Sequence, residues 1–283
     1  MTDSTADAPH RSGDGTATPT ATAIRSPTRP TSGRLALLTG FSLAASAIPL
    51  PFLPDRVILQ VRGAIELRRY EKRDASNAQI RRLYARAGKQ IREALEPFGY
   101  YEPKVEPSLD ETAEGFVARF VVTPGEPVRV RELDIAIDES ALELPSVRRA
   151  QRRFHPRVGE PLDHAQYETG KAQIQAALVG DGWLDAELTK HRVEVTAKQH
   201  VADVALAWDV GDRYRFGDVA FAGSQFDDAF LARYVPWKDE EYYSQAKLLE
   251  LQQRLVDADY FAIAEVAPDT EHTADGKVPI SVL

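Results

Sequence analysis

The sequence predicts an α+β protein of tandem small units, each with a helix pair over one three-stranded mixed sheet. Three observations support this fold class. A helix-ending motif occurs three times, a glycine turn followed by a strand occurs twice, and an apolar or alternating run precedes each of those turns. The recurring order of elements is strand, helix, helix, strand, strand, with about 80 residues in each unit.

The helix-ending motif is a leucine, three further residues, a glycine or aspartate, and two large apolar residues. Its copies are 83 and 77 residues apart, measured between Gly99, Gly182 and Asp259. Glycine readily adopts the left-handed conformation in which many helices end, and aspartate tolerates it. Each of the later two helices is predicted by apolar residues whose spacing places them on one helical face. The residues on these faces are Tyr167, Ile174 and Leu178, and then Leu248, Leu251 and Leu255.

The glycine turns at Gly125 and Gly211 are 86 residues apart and are predicted to join successive units. Residues 117–122 and 201–208 run into these turns as strands, and residues 128–137 and 214–221 leave them as strands. Because only two or three residues connect the units, we expect an articulated row rather than one globule.

The amino-terminal segment has the composition of a leader. Residues 1–34 are mostly Ser, Thr, Pro, Gly and Ala, so we expect them to be disordered. Residues 35–47 are apolar and uncharged, too short to span a membrane as a helix, and they predict a secretory signal cut near Ala47. The alternative is a buried strand or helix at the start of the first unit.

Composition and motifs argue against most chemistry. The chain has no cysteine and a formal net charge of −8, which excludes thiolate metal sites and gives no general attraction for nucleic acid. None of the six histidines has zincin spacing, and no phosphate loop or nucleophile elbow occurs. We therefore expect no catalytic residues, no cofactor and no metal.

Four stretches together carry a family resemblance: residues 91–101 (IREALEPFGYY), 125–134 (GEPVRVRELD), 159–168 (GEPLDHAQYE) and 211–217 (GDRYRFG). They resemble polypeptide-transport-associated (POTRA) domains of the Omp85-type superfamily. The resemblance is closest to the outer-membrane subunit of the translocation and assembly module (TamA), and it covers roughly residues 76–283.

The resemblance implies a non-enzymatic periplasmic arm, attached to the outer membrane through a β-barrel that this chain lacks. Its implied partners are the inner-membrane-anchored subunit of the same module and unfolded strands of outer-membrane proteins, with no nucleic acid. Because the chain stops where the family would enter the barrel, we expect a fragment or a truncated gene product. Two alternatives remain: an arm of another assembly or two-partner-secretion transporter, and a periplasmic hydrolase with an unrecognised site.

The repeat divides the chain into units at 56–125, 127–211 and 213–283. In the first unit, residues 57–61 are predicted as the first strand. The charged residues 65–74 replace a full first helix, so we expect this unit to be incomplete.

The candidate binding surface is the open edge of each sheet, where a partner strand could be added by β-augmentation. We expect these edges in the strands that follow the aromatic pairs, at residues 100–109, 183–191 and 260–268. The candidate residues are Tyr100, Tyr101, Val105, Trp183, Leu184, Leu188, Tyr260, Phe261 and Ile263.

Overall fold

The computed structural model describes residues 34–41, 55–71, 73, 75–112, 115–258 and 264–283. Within them the chain forms three three-stranded mixed sheets, and each sheet places its last strand in the middle. The first strand of each unit pairs with that central strand in parallel, and the second strand pairs with it antiparallel. This arrangement confirms the predicted α+β fold class.

The three units share one order, in which a strand is followed by helices and then by two strands, and within the described residues the second unit has one α-helix more than the others. The first contains β1 (Arg34–Phe41), α1 (Asp55–Ala64), α2 (Asn77–Leu95), β2 (Lys104–Thr112) and β3 (Gly115–Thr123). The second contains β4 (Arg129–Ala136), α3 (Glu139–Leu142), α4 (Pro145–Arg152), α5 (His164–Gly180), β5 (Glu187–Thr196) and β6 (Val201–Asp209). The third contains β7 (Arg215–Phe221), α6 (Asp228–Leu231), α7 (Gln245–Asp257), β8 (Val266–Pro268) and β9 (Lys277–Val282).

The long helices begin and pack for the reasons that the sequence indicates. Asp163 caps α5 by accepting a hydrogen bond from the Gln166 N–H at 3.1 Å. Ser244 occupies the corresponding position before α7 but accepts no such bond through its side chain. The predicted apolar faces of both helices are buried, with Ile174, Leu178 and Leu251 fully inaccessible.

The first strand of the first unit differs from the prediction. Residues 57–61 belong to α1 rather than to a strand, and Val57 and Val61 are buried in the core. The strand is β1, which starts at Arg34, the last residue of the predicted leader, and runs into the segment that we predicted as a signal. A short uncharged apolar run fits a strand of a mixed sheet as well as a signal sequence, and residues 34–41 pair with β3 as such a strand, while the signal stays a prediction. The leader before Arg34 and the proposed cleavage near Ala47 lie outside the described residues.

The expectation of an incomplete first unit is also wrong. After α1 the chain turns through a 3₁₀ helix at Glu66–Tyr70, and Ile65 and Leu67 fill the core of this unit. Both are 1 % exposed or less, so this charged segment still contributes two apolar side chains to the core.

Packing between α4 and α5 depends on Gly170. A Cβ on this residue would lie 2.5 Å from Phe154 Cδ2, and the Phe154 ring is itself buried edge-on against Tyr167. The Phe154 ring therefore packs directly against the backbone of α5 at Gly170.

Replacing Gly170 with alanine should lower the free energy of unfolding of the second unit by about 1–3 kcal/mol, because overpacking outweighs the gain in helix propensity. Gly88→Ala in α2 is the matched control. The nearest atom to its new Cβ is the mobile Arg92 Nη1 at 3.9 Å, so we expect a gain of about 0.5–1 kcal/mol. Urea denaturation followed by circular dichroism measures both. Equal stabilisation by the two variants would contradict the role of Gly170.

Candidate functional site: the sheet edges and the joints between units

The strand order leaves β2, β5 and β8 at the edges of their sheets, each hydrogen-bonded to one neighbouring strand. The outer side of such a strand carries backbone N–H and C=O groups that a further strand can pair with. These are the strands that follow the aromatic pairs. They begin later than predicted, at Lys104, Glu187 and Val266.

The three edges are not equivalent. β8 has only three residues. β2 has nine, but Pro107 in its middle has no N–H, and three carboxylate side chains are exposed along it. β5 has ten residues, eight of them exposed, and its sequence contains no proline. β5 is therefore the longest of these edges and can donate hydrogen bonds throughout its length.

The side chains of β5 differ in exposure, and this determines what a partner strand would contact. Leu188 and Val193 are half-buried and pack against the core of the second unit. Lys190, His191 and Arg192 are exposed in the middle of the strand, and Arg192 forms an ion pair with Glu194. Lys190 is therefore the cation in the middle of this edge that has no carboxylate partner among the described residues.

A bulge marks the start of β5. The pairing with β6 skips Thr189, whose hydroxyl donates a hydrogen bond to the Ala207 carbonyl at 3.1 Å. Bulges increase strand twist and interrupt regular pairing, so a regular added strand would begin after Thr189.

The opposite edges, β4 and β7, are covered at their starts by loops of their own units. The Val130 N–H donates to the Glu160 carbonyl at 3.0 Å, and the Phe216 N–H donates to the Glu241 carbonyl at 2.9 Å. These bonds satisfy the outward backbone groups where each strand begins, and so they reduce the length of edge that is open to a partner.

The two joints between units contain the same backbone hydrogen bond to a glycine carbonyl. The Val128 N–H donates to the Gly99 carbonyl, and the Tyr214 N–H donates to the Gly182 carbonyl, both at 2.8 Å. Gly99 and Gly182 have φ angles of 87° and 102°, so they end a helix of one unit in the left-handed conformation.

A side chain at either glycine would collide with the next unit. A Cβ on Gly182 would lie 3.1 Å from the carbonyl oxygens of Tyr214 and Tyr243, and a Cβ on Gly99 would lie equally close to those of Val128 and Leu162. The motif that ends each helix therefore also fixes how closely the following unit approaches.

Family comparisons agree with this repeated architecture. The family model for the POTRA domain of TamA, domain 1, matches residues 53–124. A second POTRA model, described as surface antigen variable number repeat, matches residues 214–282. The first and third units are therefore POTRA domains, and the second unit repeats their order of strands.

Similar solved structures include POTRA regions of two other proteins. BamA POTRA3–5 from Haemophilus influenzae is 14 % identical, with 91 % of this chain and 98 % of that one covered and a TM-score of 0.45. Omp85 POTRA1–3 from Anabaena is 17 % identical, with coverages of 88 % and 93 % and a TM-score of 0.30. CdiB from Acinetobacter baumannii is 15 % identical, with 55 % of this chain and 29 % of that one covered and a TM-score of 0.32.

The candidate residues of the first POTRA unit lie mostly in its core and its joint. Tyr100 is buried before β2 begins, and Val105 in β2 is half-buried against the same core. The Tyr101 hydroxyl reaches across the joint to His164 Nε2 at 2.9 Å. None of the three therefore presents an exposed side chain on the sheet edge.

The second unit places its candidates in the same way. Trp183 is buried before β5 begins, and Leu184 packs against the core of the third unit. Tyr260, Phe261 and Ile263 lie outside the described residues. At the first two edges, an added strand would accordingly meet backbone groups rather than the aromatic side chains.

The second joint also contains side chains that the sequence reasoning missed. The Arg213 guanidinium lies 4.9 Å from the ring centroid of Trp183 and 4.4 Å from that of Tyr242, and its Nε donates to the Asp181 carbonyl at 2.8 Å. The Tyr214 hydroxyl donates to Asp185 at 2.8 Å, and this bond is the main cause that raises the pKa of Tyr214. Arg213 and Tyr214 belong to the GDRYRFG motif, so this motif was the sequence feature that could have indicated their role in the joint.

Neither metal binding nor membrane spanning finds support in the described parts of the three units. No group of three or more His, Asp or Glu side chains there could hold a metal ion. No helix in the same residues is long and apolar enough to cross a membrane.

Replacing Gly182 with alanine should lower the free energy of unfolding by about 2–4 kcal/mol, because the strain of a positive φ adds to a collision with the third unit. Gly223→Ala is the matched control, since Gly223 has a φ of 76° and open space around its Cβ position. We expect that control to lose only about 1–2 kcal/mol. Urea denaturation of both variants tests the joint, and equal losses would show that cross-unit contact adds nothing.

The buried Tyr243 should make stability depend on alkaline pH. Burial raises its pKa from 10.0 to about 12. Between these values the unfolded chain releases this proton before the folded one, so the free energy of unfolding falls as pH rises; below pH 10 the contribution is fully present. The loss is at most about 3 kcal/mol. Tyr243→Phe should flatten this dependence in urea titrations at pH 9 and 11.5, and an unchanged slope would assign it to other groups.

Proposed function

We propose that this chain is a non-enzymatic periplasmic arm of an outer-membrane assembly or translocation factor, and that it binds extended segments of partner or client proteins along β5. The observation that carries the proposal is the open, ten-residue edge of β5 in a chain with two POTRA domains. An incoming strand would extend the second sheet from three strands to four.

The other edges support this choice by contrast. Pro107 removes a donor from β2, β8 has three residues, and the starts of β4 and β7 are already hydrogen-bonded to their own loops. An isolated strand gains little from pairing with so few groups, whereas the part of β5 after Thr189 offers seven consecutive residues.

Backbone pairing explains affinity without demanding one client sequence. Selectivity would come from side chains that flank the edge. The half-buried Val193 gives an apolar contact, and Lys190 favours clients with an acidic residue opposite it.

The partners in this proposal are unfolded strands of outer-membrane proteins and the inner-membrane-anchored subunit of the translocation and assembly module. The arm would pass the strands to a membrane β-barrel. The match of residues 53–124 to the TamA domain-1 model supports this assignment. The general POTRA model at residues 214–282 supports the alternative, an arm of another assembly or two-partner-secretion transporter.

Proline substitutions at two neighbouring positions should separate binding from folding. Successive N–H groups of a strand point to opposite sides within the sheet, so one of His191 and Arg192 donates towards β6 and the other outwards. We expect the outward-facing proline variant to weaken peptide binding more than tenfold while it keeps its unfolding midpoint. The inward-facing variant should instead lose stability, because it removes a bond to β6.

Binding is measured by fluorescence anisotropy with a labelled ten-residue peptide of alternating valine and glutamate. Hydrogen exchange with and without peptide then reports which β5 amides become protected. Full binding by both proline variants, or protection confined to another edge, would refute β5 as the docking strand.

A further inference from the structure

A cleft between the first and second units is lined by cationic and neutral polar side chains. Arg56 comes from α1, while Arg153 and His155 come from the loop after α4. Gln166 and Thr169 lie on the facing side of α5. The cavity has a volume of about 320 Å³, and no Asp or Glu is among the described residues that line it.

The segment around this cleft concentrates arginines. Five exposed arginines occur within ten residues, and none of them forms an ion pair with another described residue. They are Arg148, Arg149, Arg152, Arg153 and Arg157. The carboxyl end of α4 favours nearby cations but supplies only partial negative charge. In a chain with a net charge of −8, this local excess of positive charge is not a consequence of composition.

The nearest carboxylates are already paired. Asp163 is 4 % exposed and accepts Arg56 Nη2 at 2.7 Å, and it also caps α5. Glu160 lies 2.8 Å from His155 Nδ1 and accepts the Arg157 N–H at the same distance. Asp163 and Glu160 are therefore already engaged. The Arg153 guanidinium has no carboxylate partner among the described residues, so its N–H groups can donate to another acceptor.

A second cavity continues from the first. It has a volume of about 400 Å³ and shares Arg56, His155 and Gln166 with the first. Its other lining residues are the apolar and aromatic Val57, Phe98, Tyr100 and Pro161 and the already paired carboxylates Glu160 and Asp163. The polar cleft thus opens onto an apolar and aromatic wall of the first unit.

We propose that the polar cleft binds the phosphate group of a small anionic ligand, as a free phosphate ester or as a phospholipid headgroup. Guanidinium groups pair with phosphate oxygens through two parallel hydrogen bonds, and the amides of Gln166 and Gln173 on α5 can donate to the remaining oxygens. The Thr169 hydroxyl already donates to the Ala165 carbonyl at 2.7 Å, so it can only accept from the ligand. A carboxylate, with two oxygens, would leave some of these converging donors unused. A phosphate held by both Arg56 and Arg153 would connect the first unit to the second.

Calorimetric titration of the full chain tests the site with two probes, glycerol 3-phosphate and short-chain phosphatidylglycerol below its micelle concentration. Arg153→Gln should weaken phosphate binding by about tenfold, because it removes a charged donor from an exposed position without breaking an ion pair. Gln173→Glu places a carboxylate in the same lining and should weaken binding at least as much. Lys89→Gln, on the solvent face of α2, removes the same charge elsewhere and should leave affinity unchanged.

The two probes distinguish the sources of phosphate. Equal affinity indicates a site for free phosphate esters, and tighter binding of the lipid indicates that the apolar wall holds part of the ligand. The proposal is overturned if neither probe binds at millimolar concentration, if Arg153→Gln and Lys89→Gln weaken binding equally, or if an oligoglutamate peptide binds while both phosphate probes fail.

Discussion

One backbone hydrogen bond at each joint sets the architecture of the chain. The residue just before the first strand of each later unit donates to the carbonyl of Gly99 or Gly182, the glycine that ended the preceding helix. That bond requires close approach of two backbones, and close approach requires a residue without Cβ. Helix termination and unit spacing therefore depend on the same position, and this explains why the two features repeat together in the sequence.

The joint also determines which parts of the sheets remain open. It anchors the start of β4 and β7, where loops from the same unit add further backbone bonds. The strands on the opposite side of each sheet have no such cover from these loops, and β5 is the longest of them. The joint is built from backbone hydrogen bonds, so side chains on the open edge are free to differ between units. Pro107 in β2 and Lys190 in β5 illustrate this difference.

The repeat made the fold predictable, because glycine, aromatic pairs and strand alternation each have a local physical cause. Local causes were ambiguous at two places. Residues 35–41 suit a signal or a strand of the sheet, and residues 57–61 suit a strand or the buried face of α1, where the predicted strand was wrong. The roles of Tyr100 and Trp183 could not be read locally either. An aromatic residue after a helix can face the core or an edge, and only the three-dimensional packing decides between them.

The second unit carries both proposed binding surfaces, and they use different parts of it. β5 offers backbone groups at the sheet edge, whereas the polar cleft uses side chains of α5 and of the loop after α4, completed by Arg56 of the first unit. A strand bound at β5 leaves the first joint unchanged. A ligand held between Arg56 and Arg153 can bind fully only when the two units keep the separation set at Gly99, so occupancy of the cleft would stabilise that joint through its differential affinity.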